Sequence, residues 1–120
     1  MSNLAGADKS ILDYESGIHR FMNNEKLFQK FLLKFLDDKS FERMKEAVIR
    51  QDCEQGFKEA HTLKGVAANL SFTELTEISS ELTELLRAGK LAEAAQKLPE
   101  LEKAYERVVG FLQKVREVSE

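Results

Sequence analysis

His61 is one of only two histidines in this 120-residue chain, and its neighbours recur at helical spacing. In the stretch FKEAHTLKGVAANLSF, Phe57 and Lys58 precede it by four and three positions, and Lys64 and Gly65 follow it by three and four. At about 100° per residue, His61, Phe57, Lys64, Gly65 and Ala68 share one helical face. Leu63, Val66, Ala67 and Leu70 fall opposite, with Ala60 flanking. A histidine set against the apolar stripe faces outward, not into a hydrogen-bonded place in a core. Neutral imidazole is a nucleophile, and the ring is the side chain that changes charge near neutral pH. Lys64 beside it would favour the neutral ring and offset the negative charge of an arriving phosphoryl group. Lys58 adds to that field less directly. Glycine inside a helix costs about 1 kcal/mol against alanine. Gly65 and Ala68 nevertheless follow His61 on its own face, where neither projects bulk, so a large group can approach the ring. Phe57 fits half-buried core and a docking contact for another protein equally well.

The elements that must hold this face are helices. A first amphipathic segment covers residues 8–22, with Ile11, Leu12, Ile18 and Phe21 as its apolar positions. Asn23 and Asn24 interrupt it and can cap the next helix. Leu27, Phe28, Phe31, Leu32, Phe35 and Leu36 then recur at helical intervals, predicting a helix over 24–37. The run DDKS marks a turn, and Phe41, Met44, Val48 and Ile49 give a short helix over 41–50. Asp52 with Gln55, and Ser71 with Glu74, have the spacing of capping boxes. They predict a histidine helix over 53–70 and a further helix over 72–88 that stops at Gly89. Pro99 lies in the last segment, 91–118, which reads either as one kinked helix or as a short helix feeding a longer one from 99. Short connections make successive long helices antiparallel. The fold class is therefore all-α: an antiparallel four-helix bundle, of main helices 24–37, 53–70, 72–88 and 99–118, with one or two additional short N-terminal helices.

Composition agrees. With only six glycines and one proline, a sheet with many turns is disfavoured. The length suits a single domain over 1–120, with residues 1–7 expected to be flexible. The net charge of −3 has both signs interspersed and no basic block, which argues against a nucleic-acid partner. Cys53 is the only cysteine, so no internal disulfide can form, and a reducing cytoplasm suits it. The opening residues MSNLAGADKS lack the basic lead and apolar core of a signal peptide. No apolar run reaches the ~18 residues of a membrane span, so a cytoplasmic location without membrane contact is expected.

The segment AHTLKGVAANL, residues 60–70, resembles the signature of the histidine-containing phosphotransfer (HPt) domain family. Its H-x-L-K-G core is complete in His61, Leu63, Lys64 and Gly65. GIHRFMNNEKLFQKFLLKF is similar to the family's opening helices, and ELEKAYERVVGFL to its closing helix, so the likeness covers nearly the whole chain. One position departs: the family often has glycine where this chain has Ser71.

The resemblance implies that His61 is the phosphoacceptor, taking a phosphoryl group from the aspartyl phosphate of a response-regulator receiver domain, or from a hybrid histidine kinase, and passing it on. It implies Lys64 as charge support, Gly65 and Ala68 as steric access, and a polar residue on the next helix to orient the ring. In a hairpin turning at Ser71, Thr83 and Ser80 are the candidates. Phe57, Lys58, Ile18, Phe21 and Met22 are candidates for receiver docking. His19, with no lysine–glycine pair beside it, is expected to be a surface residue. No phosphate loop, Walker motif or kinase ATP signature is present. The chain is thus expected to need no cofactor and to have no kinase activity of its own, and the resemblance implies Mg²⁺ held by the partner receiver and a monomer. Two rivals, and a possibility related to the second, are weaker. A di-metal bundle needs paired E-x-x-H motifs, and the residues three before the histidines are Ser16 and Lys58. A helical adaptor or dimerisation module without phosphorylation would bind independently of His61. A histidine kinase's dimerisation domain would need an attached ATP-binding domain and a different sequence around its histidine.

Overall fold

Helix starts and stops along the chain follow from local chemistry. The computed structural model describes residues 4–119, and no strand occurs among them. In chain order they form α1 (Tyr14–Arg20), α2 (Glu25–Lys34), a 3₁₀ turn (Phe35–Asp37), α3 (Ser40–Ile49), α4 (Cys53–Asn69), α5 (Thr73–Arg87) and α6 (Leu91–Ser119). Asp13, Asn24 and Asp52 each accept a backbone N–H from the first turn of α1, α2 and α4, as short polar N-caps do. Asp38 accepts from the Ser40 amide and hydroxyl at the start of α3.

Four helix ends share one device. After α1, α3, α4 and α5 the residues Met22, Gln51, Ser71 and Gly89 adopt positive φ of 57°, 63°, 62° and 75°. In each the following amide reaches back to the last turn: Asn23 to Ile18, Asp52 to Ala47, Phe72 to Ala67, Lys90 to Leu85. These are Schellman closures, which satisfy carbonyls that a helix end leaves open.

Consecutive helices α3 to α6 therefore pack side by side, α4 against both α3 and α5, and α5 against α6. α3 also reaches α6, and α2 contacts α6 and α1. The residues 41–50, expected as an accessory piece, are thus a bundle member, and α2 with α3 shares the fourth side. The reason lies in α3 itself, which buries Phe41, Met44, Ala47 and Val48. The core between the helices holds Phe28, Leu32, Leu63, Phe72, Leu82 and Leu101, all without solvent exposure.

Three further differences from the sequence reading have local causes. Pro99 does not start a main helix at 99: of the two readings of the last segment, the single helix through Pro99 is the one found, α6 being continuous over Leu91–Ser119. Pro99 and Ala95, whose carbonyl the missing N–H would have met, are both exposed, and Ala94 and Leu101 bury the same face on either side. A 29-residue helix spans about 43 Å at 1.5 Å per residue, close to the molecule's 45 Å long axis. Ser71 is not an N-cap: α5 begins at Thr73, and its cap residue Phe72 has no side-chain bond. Glu74 pairs with Arg107 instead. Of the lead 1–7, residues 1–3 lie outside the described residues, Leu4 is buried in the core, and Ala5 and Gly6 are exposed. Leu4 is 1% exposed and Leu12 0%, and the Ser10 carbonyl accepts the Glu74 amide at 2.9 Å.

Candidate functional site

α4 buries Gly56, Ala60, Leu63 and Ala67. The opposite side of the same helix presents His61, Lys58 and Gly65 to solvent, with Phe57, Lys64 and Ala68 half-buried. The helix is clamped at both ends, by Asp52 accepting from the Gln55 amide at 3.0 Å and by the Schellman closure at Ser71. His61 thus stands near the middle of a 17-residue rod with its ring outside the bundle.

The space C-terminal to His61 is open. A Cβ built on Gly65 meets nothing within 4 Å, so no internal packing requires glycine there. The glycines that do face neighbours are Gly17, beside Phe28, and Gly56, beside Leu86 and Val48. Side chains on a helix lean toward its N-terminus, so a side chain at 65 would lie over the turn of His61. On the N-terminal side the imidazole meets Phe57, with ring centroids 6.0 Å apart and planes 23° apart. Lys64 makes no ion pair among the described residues, so its ammonium is available to an external anion. Lys58 is committed in part to Glu54, at 3.5 Å.

The orienting and docking candidates are placed less uniformly. Thr83 is fully buried and its hydroxyl donates to the Ser79 carbonyl at 2.7 Å. Ser80 is half-buried, and neither is hydrogen-bonded to His61. Ile18 and Phe21 are 8% and 9% exposed. Phe21 packs on Phe28 and Phe31 with centroids at 5.2 and 5.3 Å. Both belong to the core, because α1 is short and uses its apolar side to close over α2. Met22, 81% exposed, is the member of that group left free for a partner. His19 is exposed.

The structure also brings up residues that sequence reasoning passed over. Phe31, counted in the core stripe of α2, is 38% exposed and has the Lys34 ammonium 5.1 Å from its ring centre. With Val66 and Leu70 these two line a cleft of about 420 Å³ between α2 and α4. Arg87, in the last turn of α5, places its guanidinium carbon 4.9 Å from the Phe57 ring centre. Arg20 donates to the Ser71 hydroxyl and the Asn69 carbonyl. The Phe31–Lys34 pair is three residues apart within α2, but the Arg87–Phe57 and Arg20–Ser71 contacts join residues far apart in sequence, which no local pattern announces. Among the described residues no group of three or more His, Cys, Asp or Glu side chains could hold a metal ion.

The sequence model of the Hpt domain matches residues 27–111. The chain belongs to the Hpt domain family. That match runs from α2 into α6 and contains the whole of α4 with His61. Hpt domains are the histidine phosphotransfer modules of phosphorelays, working with receiver domains and kinases and lacking a kinase or ATP site of their own. Neither the curated proteins nor the solved structures yield a match. No helix among the described residues is long and apolar enough to cross a membrane.

Proposed function

We propose that this Hpt domain carries a phosphoryl group on His61 between response-regulator receiver domains, or from a hybrid histidine kinase to a receiver. The observation that carries the reading is the combination at one face of α4: an outward imidazole, an open position at Gly65, and a lysine with no ion pair among the described residues. Phosphoryl transfer depends on positioning and charge stabilisation more than on covalent help from the protein. A rigid helix presenting one nucleophile therefore suffices. The Nε2 lone pair of His61 forms the P–N bond in line as the P–O bond of the receiver's aspartyl phosphate breaks, and the aspartate carboxylate leaves. The reverse step loads a second receiver. Lys64 offsets the charge of the phosphoryl oxygens. Mg²⁺ sits in the receiver's acidic site, and Met22 and Lys58 contact its surface. In this reading the monomer is the working unit, and it works in the cytoplasm, where such receivers are.

Incubation with a phosphorylated receiver and Mg²⁺ tests this. The wild-type chain is expected to take up label that is lost in acid and stable in alkali, and the His61→Gln variant none. Label that persists in the variant would move the site to His19. Absence of transfer from a broad panel of receivers would leave an adaptor module that does not use phosphate.

A further inference from the structure

An imidazole that attacks phosphorus in line must be aimed, yet among the described residues no hydrogen bond holds the His61 ring. Stacking holds it instead. The lean of helical side chains toward the N-terminus places His61 over the turn that carries Phe57, and the two rings stack at 6.0 Å. Phe57 is itself fixed. It is half-buried against the core, and the Arg87 guanidinium carbon lies 4.9 Å from its ring centre, within cation–π range. Arg87 is in turn held by Glu84, its Nε donating at 3.2 Å. A chain of contacts, Glu84 to Arg87 to Phe57 to His61, thus crosses from α5 to the ring.

We infer that Phe57, held in place by Arg87, is the positioning residue for the His61 imidazole, fixing the ring by its face and leaving both nitrogens free of protein hydrogen bonds. The inference rests on the phosphotransfer reading. Phe57 makes and breaks no bond in the transfer. It stops the ring from swinging toward the N-terminal side, so that the nucleophile keeps one plane while the receiver approaches over Gly65.

The test is single-turnover transfer from a saturating phosphorylated receiver to the full chain, compared with Phe57→Leu, Phe57→Tyr and Arg87→Gln, together with NMR of the His61 ring protons. Misplacing a reacting group by a fraction of an ångström is costly, so Phe57→Leu is expected to lower the saturating rate on the order of tenfold. Receiver affinity should be kept, and the His61 ring resonances should move downfield as the neighbouring ring current is lost. Phe57→Tyr should restore both. Arg87→Gln, an exposed change that leaves the fold alone, should give a smaller loss of the same kind. A weakened affinity at unchanged saturating rate would make Phe57 a docking contact and overturn the inference. Equal saturating rates in wild type and Phe57→Leu would remove the inference alone. A wild-type chain that accepts no phosphate would remove the phosphotransfer reading and this inference with it.

Discussion

A Cβ built on Gly65 meets nothing within 4 Å, whereas one built on Gly17 runs into the ring of Phe28. Both glycines lie inside helices, so both forgo roughly 0.5–1 kcal/mol of helix stability relative to alanine, but for different reasons. Gly17→Ala should destabilise the chain by about 1–3 kcal/mol through overpacking. Gly65→Ala should instead raise unfolding free energy by about 0.5–1 kcal/mol, seen as a higher urea midpoint, while slowing transfer from a phosphorylated receiver. A Gly65→Ala chain that transfers at the wild-type rate would show that the glycine does not serve access. Spacing alone placed His61, Lys64 and Gly65 on one outward face, because a 3.6-residue period fixes relative angles. It did not place Thr83. Leu75, Ser79, Leu82, Thr83 and Leu86 follow helical intervals and form one buried stripe of α5. The polar character of Thr83 therefore marks an internal bond to Ser79 and not a solvent-facing ring partner.

Helix elements here are closed by residues in the left-handed region, and only one of the four, Gly89, is glycine. A side chain there costs about 1–2 kcal/mol, partly returned because non-glycine residues reduce the freedom of the unfolded chain. Gln51 is exposed and has no side-chain bond among those described. Gln51→Gly should therefore stabilise by about 0.5 kcal/mol, and Gly89→Ala should destabilise by about 1 kcal/mol, both measured by urea titration. Opposite signs at two equivalent joints are the informative result, and equal signs would mean that the left-handed cost is not what separates them. Ser71 differs from Gln51 because its hydroxyl joins Ser16, at 2.9 Å, and Arg20. That network explains how serine persists where glycine is conformationally easier. It also explains why the Ser71–Glu74 spacing misled: a serine three before a glutamate signals an N-cap only when its backbone is extended, and φ is not legible in residue type. Asp52 and Asn24, whose backbones are extended or nearly so, were legible as caps.

The whole molecule is a bundle whose histidine hairpin is strapped from outside the region that the family match covers. That match starts at residue 27, yet the segment before it crosses the α4–α5 turn. The Asp13 amide donates to the Ser71 carbonyl and the Glu74 amide to the Ser10 carbonyl, each at 2.9 Å. The Thr73 hydroxyl donates to the Lys9 carbonyl. Leu4 and Leu12 are buried in the same core as Leu63 and Phe72. This part was the least legible in the sequence: Ile11 and Leu12 read as part of an amphipathic segment over 8–22, yet the helix covers only Tyr14–Arg20, and the burial of Leu4 and Leu12 depends on a hairpin far along the chain. The bundle was legible because Leu, Ile, Val and Phe recur at helical intervals over long segments with short connections. Deleting residues 1–13 removes two buried leucines, each worth about 1.5–3 kcal/mol, and leaves the Glu74 amide in the first turn of α5 without its Ser10 carbonyl partner. The truncated chain is expected to fold with α2 to α6 in place, since those helices carry most of the core. It should lose about 3 kcal/mol or more of stability, with amide exchange accelerated first at Glu74 and around the Ser71 turn. His61, mid-helix and away from that joint, should still accept phosphate at temperatures well below the lowered midpoint. A truncated chain with the wild-type urea midpoint and unchanged exchange at Glu74 would show that the strap adds nothing, and that residues 27–111 hold the histidine hairpin alone.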